Sequence, residues 1–436
     1  MVDRLGTVET GKLADLIVVS EEAQMKTVLT DCTVIDCTGK PPMKDVTIVI
    51  EGGKIAELKP GLFTGAAGEG ERVFDLEGGY VLPGLWNVHA HQFELFEPTK
   101  HLILSESVPD CTIRGGRNLL DALRLGITGV RVTGESDFND VAWKRAFDAG
   151  LFLGPHVFAC GNEIGTTGGH GAGWPNFLAA DGPFEMRKAI REQIKHGVDW
   201  IKLDITGHVF VNANGERFIE LEVFADEVRA ATEIAHQKGK KVCSHNESPG
   251  GVKMAIECGV DCIEHGTYID DECIQMMVDH DVFFVPTIRC SQDTQYKREN
   301  GASESEINSP KRVAERKAHL EVFQKALKAG VKMASGGDSA TVGELGLREI
   351  EHLAKAGMTE MEALIAATRN SADLCGIVDR TGTVEVGKLA DLIAVSADPL
   401  EDISNIRKLK LVLRGGNRVT LEPEGIADFW DLYCWQ

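Results

Sequence analysis

Leu82–His91 reads LPGLWNVHAH. A Pro-Gly pair interrupts one extended run, and a short apolar run then closes on two histidines separated by a single residue. Strand geometry sends residues i and i+2 to the same face, so His89 and His91 aim their imidazoles together. Seven further apolar runs follow at intervals: GITGVRVT (126–133), PHVFACGNEI (155–164), VDWIKLDIT (198–206), KVCSHN (241–246), CIEHGT (262–267), VFFVPTI (282–288) and VKMASGGD (331–338). Amphipathic helical stretches separate them, among them NLLDALRLG (118–126), FADEVRAATEIAHQKG (224–239) and AERKAHLEVFQKALKAG (314–330). Strands alternating with helices are the signature of a parallel α/β fold. Eight such units predict a (β/α)8 TIM-like barrel over residues 83–376, close to the usual length of about 250 residues.

The flanks read differently. TVLTDCTVID (27–36), DVTIVIEGGKIAEL (45–58), RVFDLEGGYVLPG (72–84) and KLKLVLRGGNRVTLEP (408–423) alternate apolar and polar residues between Gly-rich turns. They predict a β-sandwich domain composed of both termini, residues 1–82 with 377–436. A direct repeat joins the ends: Val2–Ser20 matches Val378–Ser396 at all but three of nineteen positions, Leu5/Thr381, Thr10/Val386 and Val18/Ala394. One copy at each end excludes a solenoid. Residues 1–24 therefore read as an extra repeat segment ahead of Met25.

The 436 residues carry 46 basic and 67 acidic side chains, a net charge of −21. That balance argues against nucleic acid as a partner, since counterion release needs a basic face. Eleven scattered cysteines read as reduced thiols, and Cys258 and Cys262 as small core residues rather than metal ligands. No apolar run is long enough for a membrane span, and MVDRLGTVETGK lacks a cationic, apolar leader. The expectation is a cytoplasmic protein without membrane contact. It is also expected to be a homo-oligomer, with IADFWDLYCWQ (426–436) covering either a second subunit or the chain's own β-domain.

Four more residues give the histidine pair its meaning. Lys202, His245, His265 and Asp338 each fall at or near the C-terminal end of a different predicted strand, where barrel enzymes hold their sites. Apolar strands otherwise avoid charge, so the convergence needs a common cause, and metal binding supplies it. Imidazole and carboxylate suit zinc, with cobalt or manganese as alternatives. In this reading His89, His91 and Asp338 hold one of two divalent metal ions, and His245 and His265 hold the other. Lys202, its pKa lowered by burial beside cations, reacts with carbon dioxide, and the carbamylated side chain bridges the two. The competing reading of Lys202 is a salt bridge to Asp204 or Asp338.

These motifs resemble the amidohydrolase superfamily: LPGLWNVHAH, the strand-four lysine, the histidines of strands five and six, the strand-eight aspartate and the closing GTVEVGKLADLIAV. The resemblance runs from about Met25 to Val419. Within it, TTGGHG (166–171), VDWIK and IEHGTYID resemble the prolidase-like and imidazolonepropionase-like group, which includes Xaa-Pro dipeptidases and ochratoxin-type amidases. The resemblance implies an enzyme that cleaves the amide of a dipeptide or N-acyl amino acid through a metal-bridging hydroxide. Asp338 would shuttle the proton to the leaving nitrogen. DITGHVF departs from the group by placing His208 where relatives usually have a second glycine, which bears on the pocket.

Substrate contacts are expected from His170 in the glycine-rich loop, as carboxylate or oxyanion partner and catalytic residue, and from Tyr268, Arg289 and His208. Residues 291–316 form a polar insertion, either a lid or a solvated helix-loop connection. Two other readings stand beside this one: a cyclic-amide hydrolase or deaminase on the same barrel, for which a bridging lysine has no use, and a scaffold without catalysis, against which all six ligand candidates count.

Overall fold

The computed structural model describes residues 25–65, 67–68, 70–91, 106–211, 217–338 and 341–422. The extra repeat at 1–24 and the C-terminal IADFWDLYCWQ lie outside the described residues. In chain order the strands are β1 (Lys26–Val34), β2 (Met43–Glu51), β3 (Lys54–Pro60), β4 (Glu71–Pro83), β5 (Leu85–Ala90), β6 (Ile127–Val132), β7 (His156–Phe158), β8 (Glu163–Gly165) and β9 (Phe177–Ala179). There follow β10 (Trp200–Asp204), β11 (Thr206–Val211), β12 (Arg217–Leu221), β13 (Lys241–Asn246), β14 (Cys262–His265), β15 (Phe283–Val285), β16 (Leu392–Val395), β17 (Leu409–Arg414) and β18 (Asn417–Arg418).

Strands from both ends of the chain share one sheet, in the order β18-β17-β16-β4-β1-β2-β3. The ends meet where β16 pairs antiparallel with β4, Ala394 opposite Val81 and Ile393 opposite Leu82. Instead of two separate sandwich layers, this single sheet curls on itself around Val34, Ile48, Ile50, Leu392 and Leu413. Its edge hairpins close the curl: Ala390 N–H donates to Gly53 O, and Gly416 N–H to Ala390 O. A Cβ on Gly53 would lie 2.7 Å from Gly415 O, and Gly53 also has φ +75°, so the contact admits only glycine.

The central strands are all parallel. β5, β6 and β7 form one group, and β15-β14-β13-β10-β8-β9 form another. Backbone bonds join the groups at both margins. Asp199 and Trp200 N–H donate to Ala159 O, while the segment 332–338 bonds β15 through Phe284 and β5 through Val88 and His89. The succession of strands thus returns to its start. β5, β6 and β10 are buried along their whole length, as expected of parallel strands covered on both faces. Two predicted runs differ in detail: the third divides into β7 and β8 around Gly161 (φ +65°), and the eighth pairs through an isolated bridge, Met333 with Phe284.

After β10 the chain forms an antiparallel hairpin, β11 with β12, which the sequence reading had not separated. The insertion at 291–316 is largely helical, with short helices Thr294–Glu299 and Glu304–Ile307 leading into Pro310–Ala329. Arg348 fastens it by ion pairs to Asp293 (3.2 Å) and Glu299 (2.6 Å). Cys258 and Cys262 are buried in the apolar cores, as expected. Among the described residues no helix is long and apolar enough to cross a membrane.

Candidate active site

At the end of β5, His89 Nε2 and His91 Nε2 each lie 3.3 Å from the same oxygen, Asp338 Oδ1. The backbone fixes this meeting, because Asp338 N–H donates to His89 O at 2.7 Å. His89 is fully buried, and its other nitrogen, Nδ1, lies 2.7 Å from Glu264 Oε2. Glu264 in turn receives Arg131 Nη2 at 2.6 Å, and Arg131 Nε donates to Val88 O. Burial by itself would raise the Glu264 carboxyl, but Arg131 and His89 hold it well below the usual carboxylate range. An ionised Glu264 engages Nδ1 of His89, and Nε2 is the nitrogen that faces Asp338. That Nε2 is buried without a hydrogen-bond partner.

The second group stands beside the first. The His265 ring centroid lies 4.9 Å from that of His89 and 4.5 Å from that of His245, and His170 stacks on His245 at 4.0 Å. His265 Nδ1 bonds Thr287 Oγ1 at 2.8 Å, and His245 Nε2 is buried with no partner. Burial, then neighbouring cationic groups, pushes both imidazoles well below their ordinary pKa, so they stay neutral donors of lone pairs. Burial alone would raise the Asp338 carboxyl, while His89, His91 and His265 hold it far below its ordinary value. His265, Thr287 and Asp338 all have positive φ, at 68°, 47° and 49°. Non-glycine residues rarely occupy that region, and such strain concentrates at functional sites.

Lys202 on β10 is 2% exposed. Among the described residues it makes no ion pair, so the alternative salt bridge to Asp204 or Asp338 does not form. Burial pulls its pKa down, but Glu163 and Asp204 outweigh burial and hold the ammonium above its ordinary value. Both Asp204 oxygens are buried and unpartnered.

Glu163, His170, Lys202, Asp204, His245, His265, Thr287 and Asp338 line a cavity of about 290 Å³, together with Glu247, Thr267, Cys290, Ser291, Glu315 and His319. His170 is on its wall, as the loop reading expected. Glu247 accepts the Thr267 N–H, and burial raises its carboxyl to about 7. Cys290 Sγ lies 3.3 Å from Asp338 Oδ2. Tyr268 is absent from this lining. Arg289 takes a different part from the expected one: its guanidinium donates to the backbone oxygens of Gly337 and, at 2.9 Å, Asp338, so it positions the aspartate's turn. His208 belongs to β11, and its side chain lies outside the described residues.

Sequence reasoning missed Glu163, Asp204, Arg131 and Glu264. Two of them carried a signal: Asp204 follows Lys202 by two, the strand period, and Arg131 is a cation inside an otherwise apolar strand.

The donor set fits divalent cations. One ligand atom from each of His89, His91 and Asp338 lies within 4.8 Å of the others, and the lone pairs of His89 Nε2 and His245 Nε2 have no protein partner. Buried polar atoms are rarely left so.

The chain belongs to the amidohydrolase family, whose family model matches residues 80–419. It is a hydrolase acting on amide bonds. Ochratoxinase of Aspergillus niger is 28% identical over 363 residues, covering 76% of this chain and 73% of that protein. A solved Xaa-Pro dipeptidase with methionine bound in its active site is 31% identical, with a TM-score of 0.80 over 90% of this chain and 99% of the other. The structure of A. niger ochratoxinase is 25% identical, with a TM-score of 0.76 over 90% and 95% of the two chains.

Proposed function

We propose that this chain is a binuclear metal-dependent hydrolase that cleaves the amide bond of a dipeptide or N-acyl amino acid. The observation that carries this reading is the pair of unpartnered Nε2 atoms, His89 and His245, buried around the ionised Asp338. The cyclic order of parallel strands supports a (β/α)8 barrel over 83–376 with these residues at its C-terminal mouth, flanked by the β-domain of both termini. His89, His91 and Asp338 would hold one ion, His245 and His265 a second, and a carbamylated Lys202 would serve both. Zinc suits this donor set, with cobalt or manganese as substitutes. Bound there, such ions polarise a carbonyl and make water nucleophilic near neutral pH.

The chain's own groups do the rest. Asp338, ionised and backed by Arg289, accepts the proton of the attacking water and returns it to the leaving nitrogen. Glu264 fixes the His89 tautomer. His170, stacked on His245 at the cavity wall, would donate to the substrate's carboxylate or developing oxyanion.

The test is a hydrolysis screen of dipeptides and N-acyl amino acids on protein with its metal content measured. About two ions per chain and release of free amino acid are expected, and metal-loaded protein that cuts none of these amides would overturn the proposal. Lys202→Ala should lose most activity and at least one ion, with partial recovery in added short-chain carboxylic acids. Two ions and an unchanged rate in that variant would remove the carbamate bridge, and one ion per wild-type chain would favour the deaminase or cyclic-amide reading.

A further inference from the structure

A second, larger space shares the helix Pro310–Ala329 with the cavity. The insertion helices and the start of helix Pro310–Ala329 enclose a groove of about 880 Å³ whose lining includes Tyr296, Lys297, Ile307, Lys311, Arg312 and Arg316. That size is in the range of small-molecule sites. Its charge opposes that of the chain: four cations line it, against one carboxylate, Glu306, which already accepts Ser303 N–H and Oγ–H. The net charge of the whole protein is −21.

Lys297 is the distinctive member. It is half-buried, and among the described residues its ammonium has no ion pair or hydrogen bond. Burial, then Arg312, lowers its pKa, and the attraction of an anion in the groove would offset both. Tyr296 and Ile307 supply apolar surface beside it. Arg312, on the groove wall, pairs at 2.8 Å with Glu315, which lines the catalytic cavity. One face of the helix thus serves both spaces, with Arg312 and Arg316 turned to the groove and Glu315 and His319 to the cavity.

We propose that this groove is the distal subsite of the active centre and receives the far end of a substrate that carries a carboxylate on an apolar chain. The proposal rests on the amide-hydrolase reading above. Nothing in it concerns the carboxylate next to the scissile bond, which lies on the cavity side.

N-glutaryl-L-phenylalanine and N-pentanoyl-L-phenylalanine differ chiefly by a carboxylate at the far end of the acyl chain. We expect the wild-type enzyme to favour the glutaryl substrate at least ten-fold in kcat/KM, mainly through KM. The preference should shrink in 0.5 M NaCl, because a half-exposed pair is screened. In Lys297→Met the ratio should fall to within two-fold, and since both rates come from one preparation, a general loss of folded enzyme cancels. An unchanged ratio in Lys297→Met, or a wild-type preference for the pentanoyl substrate, would overturn the proposal.

Binding of 4-phenylbutanoate, followed by calorimetry, separates this from failure of the hydrolase reading. One saturable site, weakened at least five-fold by Lys297→Met and competitive with hydrolysis, supports the subsite. Absence of saturable binding, or binding that does not compete, overturns it. Lys297-dependent binding by an enzyme that cuts no amide would retire the hydrolase reading, and with it the substrate role of the groove.

Discussion

Two buried clusters in this molecule are built from the same three groups, a histidine, a carboxylate and an arginine. Where the β-domain meets the start of β7, Asp391 accepts His156 Nε2 at 2.9 Å, Arg414 Nη1 at 3.1 Å, Thr381 Oγ–H at 3.0 Å and Gly415 N–H at 2.7 Å. Arg414 Nη2 donates to the remaining nitrogen of that histidine, His156 Nδ1, at 2.9 Å. Each carboxylate oxygen and both imidazole nitrogens have protein partners. At the other end of the strands, Arg131 and Glu264 satisfy only one nitrogen of His89, and the second is left open toward Asp338. In the first cluster the carboxylate and the imidazole are fully taken up by protein, Arg414 Nε being left without a partner, and the cluster holds two parts of the fold together. In the second an imidazole nitrogen is left open, and that difference, rather than burial or residue type, marks it as the candidate site.

The sharpest way to break this contrast is to remove the groups that face the opening. Chelation, or His89→Ala or His91→Ala, should abolish amide hydrolysis and lower bound metal, as read by initial rates and metal analysis. Asp338→Asn should keep most of the metal and lose about 10²–10⁴ in turnover. Equal losses of activity and metal from Asp391→Asn would erase the distinction between the clusters.

Glu264→Gln and Asp391→Asn probe the carboxylates themselves. Each leaves a buried arginine short of its anion, a change that typically costs about 3–5 kcal/mol of stability, measurable by denaturant titration. Only Glu264→Gln should also weaken metal binding, by about 10–100-fold, because it alone orients a histidine whose far nitrogen is open. Asp391→Asn should show full metal occupancy in whatever fraction remains folded.

A smaller effect is expected from pH. Burial, then Arg414, holds His156 below the ordinary imidazole pKa, so the folded chain keeps it neutral where the unfolded chain takes up a proton, from about pH 6.5 downward. Its contribution is therefore present above that pH and lost as the pH falls toward the folded value. The difference in melting temperature between wild type and His156→Gln should be largest at pH 7–8 and shrink toward pH 5. A constant difference would show that His156 does not titrate between the two states.

The smallest effect belongs to residues 1–24. The second copy of their repeat already supplies Asp391 to the closed cluster and β16 to the sheet, paired on both sides by β4 and β17. A chain beginning at Met25 should keep its metals and a kcat within a few-fold of the full protein. Loss of metal from a folded truncation would show that the first copy has a part in the site.

Much of the fold was legible because it is written in local periods. The eight segments were read from apolar runs and their helical spacers, and the six proposed ligands from polar residues at or near strand ends. Where the reading stopped, the missing information was a partner. Arg289 looked like a substrate contact because a cation at a strand end was assumed to face the pocket, whereas the left-handed turn at Asp338 presents carbonyls that occupy it. The carboxylates around Lys202 were not foreseen, because Glu163 and Asp204 converge on it from β8 and β10. The sandwich was expected from strand propensity, which is silent on whether strands join one sheet or two.

Strand and helix periodicity, the HxH spacing, the single charges in apolar runs and the repeat of Val2–Ser20 at Val378–Ser396 all follow from the order of residues, and the family follows from the same motifs. The pairing of His89 with Glu264, its open Nε2 and the Asp391 cluster do not. Each depends on groups far apart in the chain, 175 residues in the case of His89 and Glu264. Along a chain, residue type and spacing set which local structure forms and which atoms could act. Whether an atom's hydrogen-bonding capacity is filled by protein or left for a ligand depends on which distant side chains the packed strands bring within about 3 Å of it.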